Sequence, residues 1–104
     1  MAIERIETNK RLSEAVIHGD TVYLCGQVAN DVKGDIKQQT REVLANIDNM
    51  LARANTSKAN LLSATVYLKA MDDYKSMNEI WDGWTAPGAA PARTCLGGVA
   101  LFSP

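Results

Sequence analysis

Along this chain, polar and apolar residues alternate in short runs, shift to a helical period, return to alternation, and make the same change once more. Residues 2–6 alternate loosely and predict a short first strand. Residues 14–18 and 21–28 are rich in β-forming side chains and are separated by Gly19-Asp20, the composition of a tight hairpin turn. In the second run Val22, Leu24 and Gly26 face one way, and Tyr23, Cys25 and Gln27 the other. Both faces carry apolar groups, so both are expected to be covered. Residues 30–35 are a polar loop containing Gly34.

From Asp35 the period lengthens. Val43, Ile47, Met50, Leu51 and Ala54 fall at helical spacing, with Lys37, Arg41, Glu42 and Asp48 mostly on the opposite side. Asp35 suits the N-cap, and Asn55-Thr56-Ser57 closes the helix. Residues 60–69 alternate again, with Leu62, Ala64, Val66 and Leu68 on one face and Leu61, Ser63, Thr65 and Tyr67 on the other. Asp72 or Asp73 then caps a second helix, in which Met77, Ile80, Trp81 and Trp84 occupy i, i+3, i+4 and i+7. That spacing assigns both tryptophans to the core. A Gly/Pro/Ala loop at residues 87–91 cannot continue the helix, and residues 92–101 read as a last strand.

The order β-β-β-α-β-α-β describes a single α+β domain over residues 1–104, with a mixed sheet and both helices on one of its faces. The other face is partly apolar, and nothing in the chain covers it. Self-association is the expected consequence.

Composition narrows the functions open to such a domain. With 46% hydrophobic and 22% charged residues the chain is an ordinary globular one. Eleven basic against twelve acidic residues leave a formal charge of -1, so there is no basic excess to grip a phosphate backbone. A histidine pair for RNA cleavage is also missing, because His18 is the only histidine. It stands beside Gly19-Asp20 and is expected at the surface of a hairpin end. A His-rich metal site within one chain is thereby excluded. No Gly-rich phosphate loop occurs, since Gly97-Gly98 alone is too little. The opening residues carry charge where a secretion signal has its apolar run, and no segment approaches the roughly 18 apolar residues of a spanning helix. Cys25 and Cys95 are far apart in sequence and are expected as free thiols. These features point to a cytoplasmic chain without membrane contact.

One residue stands out against this background. In Pro91-Ala92-Arg93-Thr94-Cys95 an arginine interrupts an otherwise small and apolar strand. Arg93 and Cys95 share one face of that strand, and Thr94 takes the other. A guanidinium is always charged, and its planar fork matches a carboxylate with two parallel hydrogen bonds. Burying it without a counter-charge is costly. Arg93 therefore either pairs with a side chain such as Asp31 or Glu79, or hangs at a strand edge, or holds the anion of a ligand.

Several motifs occur in a fixed order around it. They are Cys25-Gly26-Gln27 at the end of a strand, Asn46-Ile47 on the long helix, and Ala64-Thr65-Val66-Tyr67-Leu68 followed by Asp72. Met77-Asn78 on the second helix, with aromatic residues after it, and Pro91-Ala92-Arg93-Thr94-Cys95 complete the set. Together, across nearly all of the chain, they resemble the reactive-intermediate deaminase (Rid) family, the YjgF-like proteins also known as L-PSP endoribonucleases or translation inhibitors.

The resemblance implies a fold like the trimeric α+β chorismate mutase, a homotrimer with a central barrel, and clefts between neighbouring subunits. It implies a hydrolase of the 2-iminobutanoate/2-iminopropanoate deaminase kind, which converts 2-aminoacrylate and other 2-imino acids to 2-keto acids and ammonia without a cofactor. Arg93 would be the catalytic anchor of the substrate carboxylate. The Cys95 backbone, Gly26, Cys25, Asn78 and Leu12 would line the substrate site. No nucleic acid or membrane partner is implied by the residues. Cys95 is not expected to act as a nucleophile, because nothing in the sequence supplies it with a base.

Two departures from the family pattern bear on activity. Leu12 stands where many members carry a cleft-lining tyrosine. The family pattern also continues into a further strand whose glutamate positions the attacking water, whereas this sequence ends at Pro104; either the sequence is truncated before that strand, or the strand and its glutamate are absent. These departures give an alternative expectation, a non-catalytic module that binds and senses small carboxylates. The ribonuclease reading is the least supported.

Overall fold

The changes of period correspond to real elements. In the computed structural model, which describes residues 2–101, the order is β1 (Ile3–Thr8), β2 (Ser13–His18), β3 (Thr21–Leu24), α1 (Ile36–Arg53), β4 (Ser63–Tyr67), α2 (Tyr74–Trp84) and β5 (Ala92–Leu96). This is the α+β order expected from the pattern. Short 3-10 turns at Lys58–Asn60 and Met71–Asp73 precede β4 and α2.

β1, β2 and β3 form an antiparallel meander, with Ala15 of β2 between Ile6 and Leu24. Gly19 supplies the left-handed backbone (φ 62°) that the tight β2–β3 turn demands, and His18 is exposed beside it, as expected. β4 and β5 run parallel, placing Ala64 opposite Arg93 and Val66 opposite Cys95. Parallel neighbours need a long crossover, and α2 with its flanking loops provides it.

The expectation of one mixed sheet needs correction. Among the described residues the strands form two sheets, β1-β2-β3 and β4-β5. The run over residues 21–28 is shorter as a strand than its alternation suggests. After Cys25 N donates to Glu14 O at 3.0 Å, the chain leaves the β2 ladder, and the Gln27 side chain folds back to donate to Cys25 O at 3.2 Å. The stretch 92–101 is likewise not one strand, because β5 stops before Gly97-Gly98. Gly98 takes a left-handed φ of 67°, and a Cβ on Gly97 would collide with the Met71 side chain. Residues 60–69 also shorten, since residues up to Asn60 close a 3-10 turn before β4 begins.

The helices obey their sequence signals more closely. Asp35 caps α1, its Oδ1 accepting from Gln38 N at 2.8 Å, and Asn55 just beyond the helix adopts a left-handed φ of 62°. Asp73 stands at the N-cap position of α2 without a side-chain bond. Leu44 of α1, Leu68 after β4, and Met77 and Trp81 of α2 form the buried core, with Ala64, Val66 and Cys95 from the inner face of β4–β5 packed against it. Trp84 is only half-buried and donates from Nε1 to Asp48 Oδ2 at 2.9 Å, tying α2 to α1. No helix among the described residues is long and apolar enough to cross a membrane.

Two surfaces are left apolar. On the outer face of β4–β5, Tyr67 and Leu96 lie opposite each other in register and are 57% and 44% exposed. Between the segment after β3 and β4 runs a groove of about 420 Å³, floored by Val43, Ile47, Met77 and Trp81.

Candidate functional site

α2 carries two overlapping stripes. Met77, Ile80, Trp81 and Trp84 make the apolar one. Tyr74, Met77, Asn78 and Trp81 share the same i, i+3, i+4, i+7 spacing and present a second, partly polar one. Arg93 lies against this second stripe because β5 turns Arg93 and Cys95 inward and Ala92, Thr94 and Leu96 outward.

The guanidinium is held at several points. Nη1 donates to Asn78 Oδ1 at 2.7 Å, and Nη2 donates to Tyr74 Oη at 3.2 Å. The Met77 sulfur lies 3.9 Å from Nη1. Cζ is 5.1 Å from the Trp81 ring centre and 5.7 Å from that of Tyr74, within reach of cation–π attraction. Trp81 thus belongs to the core, as its spacing predicts, and also supplies a face to the arginine.

None of these partners carries a negative charge. The ion pairs among the described residues are Lys37–Glu79 at 2.6 Å and Arg53–Glu7 at 2.9 Å. Glu79, one internal partner considered for Arg93, is therefore engaged with Lys37. Asp31, the other, accepts from Lys33 N at 3.0 Å. Arg93 is half-buried and has no carboxylate within ion-pair distance among the described residues. Among the described residues its two neutral oxygen acceptors leave further N–H groups of the fork without an oxygen partner. What this arrangement can do is receive a planar anion.

Of the site residues expected from sequence, the structure brings Arg93 and Asn78 into direct contact and sets Cys95 on the same strand face. Cys95 is a half-buried free thiol packed on the core. Cys25 and Gly26 lie elsewhere in the chain's own structure. Cys25 Sγ donates to Glu14 Oε2 at 3.0 Å, and Gln27 Nε2 donates to the same oxygen at 3.2 Å. These two bonds hold the Glu14 carboxyl below the usual carboxylate range. Burial, with the Glu14 hydrogen bond and charge, pushes the Cys25 thiol up to about 11, so it stays protonated at neutral pH. Glu14 and Gln27 border a polar cavity of about 250 Å³ with Glu7, Asn46 and Arg53, whereas Gly26 borders the apolar groove. Leu12 is 43% exposed between β1 and β2. No hydrogen bond among the described residues joins Leu12 or the Cys25 cluster to Arg93.

Sequence reasoning missed two contributors. Tyr74 has the signal of its spacing, one turn before Asn78. Glu14 has the signal of hairpin register: His18 opposes Thr21 and Ala15 opposes Leu24, so Glu14 falls beside Cys25. Asn46 anchors the loop between β3 and α1, its Nδ2 donating to Val28 O at 3.1 Å and to Asn30 Oδ1 at 3.2 Å.

Known proteins share both this sequence and this geometry. The family described as Endoribonuclease L-PSP matches residues 2–104. A RutC family protein of Haemophilus ducreyi is 47% identical over 94 residues, covering 90% of this chain and 80% of that protein. The crystal structure of an uncharacterized Pseudomonas aeruginosa protein has a TM-score of 0.95 at 43% identity, covering 99% of this chain and 89% of that one. A member of the YjgF protein family from Neisseria meningitidis also has a TM-score of 0.95, at 40% identity, covering 100% of this chain and 86% of that one. Motif order, fold and relatives agree, and the chain belongs to the YjgF/L-PSP family, the Rid family that its motifs resemble.

Proposed function

We propose that this protein hydrolyses 2-imino acids and their enamine tautomers, such as 2-aminoacrylate, to 2-keto acids and ammonia. The observation that carries the reading is the Arg93 guanidinium, oriented by Asn78 and Tyr74 and without a carboxylate partner among the described residues. A substrate carboxylate supplies the missing charge, and two parallel hydrogen bonds fix the direction of the adjacent C2. The imine carbon beside a carboxylate is already electrophilic. Water adds to C2, forming the C–O bond, while the C=N electron pair moves to nitrogen. Proton transfer then lets the carbinolamine expel ammonia and leave the 2-keto acid. The clamp mainly orders the reactants, so neither a cofactor nor a protein nucleophile is required.

In this reading Arg93 is the catalytic anchor and Asn78 and the Cys95 backbone adjoin the bound acid. Cys25, Gly26 and Leu12 approach it from a neighbouring copy. The apolar outer face at Tyr67 and Leu96 supports such association, and a homotrimer with clefts between subunits accommodates it. The charge balance and the free thiols suit a cytoplasmic enzyme that binds neither nucleic acid nor membrane.

The test generates an imino acid in place with an amino-acid oxidase and follows keto acid and ammonia release. The protein is expected to accelerate release, and Arg93→Ala to lose about 2–4 kcal/mol of transition-state stabilisation. No acceleration over buffer, or full activity in the variant, overturns the proposal.

A second reading draws on the same arginine. The partners of Arg93, namely Asn78, Met77, Trp81 and Tyr74, include no carboxylate or imidazole to act as a base near neutral pH. A binding module that senses 2-keto acids needs none. It predicts a rise in melting temperature with pyruvate and imine turnover that stays at background.

A further inference from the structure

Arg93 is pinned through two different nitrogens by two residues one helical turn apart on α2. Asn78 Oδ1 accepts from Nη1 at 2.7 Å, and Tyr74 Oη accepts from Nη2 at 3.2 Å. Tyr74 is the first residue of α2, set in place by the Met71–Asp73 turn, and it is 38% exposed. Its ring serves a separate purpose, lying 5.7 Å from Cζ. The phenol oxygen beside the guanidinium is that of Tyr74.

The two contacts are not redundant. With Asn78 alone, the guanidinium keeps one pivot, and its plane can swing about the Cδ–Nε bond. A second acceptor on the other terminal nitrogen removes that freedom. The N–H groups left over then keep a fixed orientation, and a planar carboxylate meets a fork that is already set. Ordering a long side chain in advance lowers the entropy lost when the ligand arrives.

We propose that Tyr74 is a positioning residue for the Arg93 clamp, its hydroxyl fixing the plane in which the carboxylate of a 2-imino or 2-keto acid is received. The inference rests on the proposed reading of Arg93 as carboxylate anchor and names the residue that prepares it. Tyr74 acts equally on bound substrate and transition state, so its hydroxyl is expected to govern affinity and leave turnover of the bound complex alone.

Tyr74→Phe keeps the ring and deletes only the oxygen. The intact chain, Tyr74→Phe and Arg93→Ala are compared by calorimetric titration with pyruvate, by KM and kcat with 2-iminopropanoate generated in place, and by urea unfolding. Nitrogen NMR of the Arg93 side chain reads rotation of the guanidinium. The expected result for Tyr74→Phe is a Kd and KM raised about three- to tenfold, the range of one partly exposed charge-assisted hydrogen bond. kcat and the urea midpoint should stay within error, and Nη rotation should become faster. Unchanged affinity and unchanged rotation in Tyr74→Phe, with binding lost in Arg93→Ala, overturn the role of Tyr74 and spare the clamp. A kcat that falls at constant KM also overturns it, because the hydroxyl then acts in the chemistry. If Arg93→Ala binds pyruvate as the parent does, the functional reading itself fails.

Discussion

Arg93 of β5 and Asn78 of α2 meet at 2.7 Å, a charged donor on a neutral acceptor. Because Asn78 is neutral, the guanidinium keeps its charge without a counter-charge among the described residues. A carboxylate at the same place would form an internal ion pair and compete with any incoming acid. Asn78→Asp is therefore expected to weaken pyruvate binding by about tenfold or more, since it adds a fixed charge-assisted partner. The change is isosteric, so the urea midpoint should hold or rise. Titration of the variant with pyruvate checks this. Affinity equal to the parent's would mean that the acid does not bind at Arg93.

A different pair governs thiol chemistry. Cys25 is raised from 9.0 to about 11 by burial first and then by its bond to Glu14. Alkylation needs the thiolate, so Cys25 in the folded chain should react at pH 8 about a hundredfold more slowly than an ordinary cysteine. Glu14→Gln removes the negative charge but not the burial, and should restore part of that rate. Peptide mapping after timed iodoacetamide treatment separates Cys25 from Cys95. Stability follows the same groups. The folded state favours the protonated thiol, so the contribution of Cys25 is complete below its ordinary value of 9.0 and is lost as pH rises towards about 11. Glu14 has the opposite sense: its contribution is complete above the ordinary 4.5 and is lost as pH falls through its lowered value. Urea midpoints that stay flat from pH 8 to 11 would contradict the first of these.

The order of the elements could be read in the sequence because each switch of period is a local property. Asp35 caps where its spacing demands, and Met77 and Trp81 bury where their stripe points. The inward turn of Arg93 beside Cys95 also follows from simple alternation. The division into two sheets does not, because which strand edges pair is decided by distant chain segments rather than by the strands' own residues. The neighbours of Arg93 were half legible. Asn78 belonged to a motif, while Tyr74 lay on a helix stripe whose contact with β5, many residues later, only the packing of α2 reveals. Glu14 is the instructive omission: the Gly19-Asp20 turn sets the register that brings it to Cys25, and pairing the hairpin on paper would have found it.

The outer face of β4–β5 carries the last prediction. Tyr67 and Leu96 oppose each other across the ladder and remain 57% and 44% exposed. The two helices already occupy the inner face, so no further element among the described residues covers this one. A large apolar side chain buried from water contributes about 1.5–3 kcal/mol. Association between copies is the available way to remove them from water. Sedimentation velocity at micromolar concentration should find an assembly larger than one chain. Tyr67→Asp and Leu96→Glu should each weaken it by about one to two orders of magnitude in dissociation constant per interface. Both positions face away from the core, so the helix content of the variants should match the parent's. A parent chain that sediments as a monomer at these concentrations would remove the subunit interface from the proposed site and leave the clamp on an open surface, where a carboxylate would be held against bulk water by Arg93 and its α2 neighbours alone.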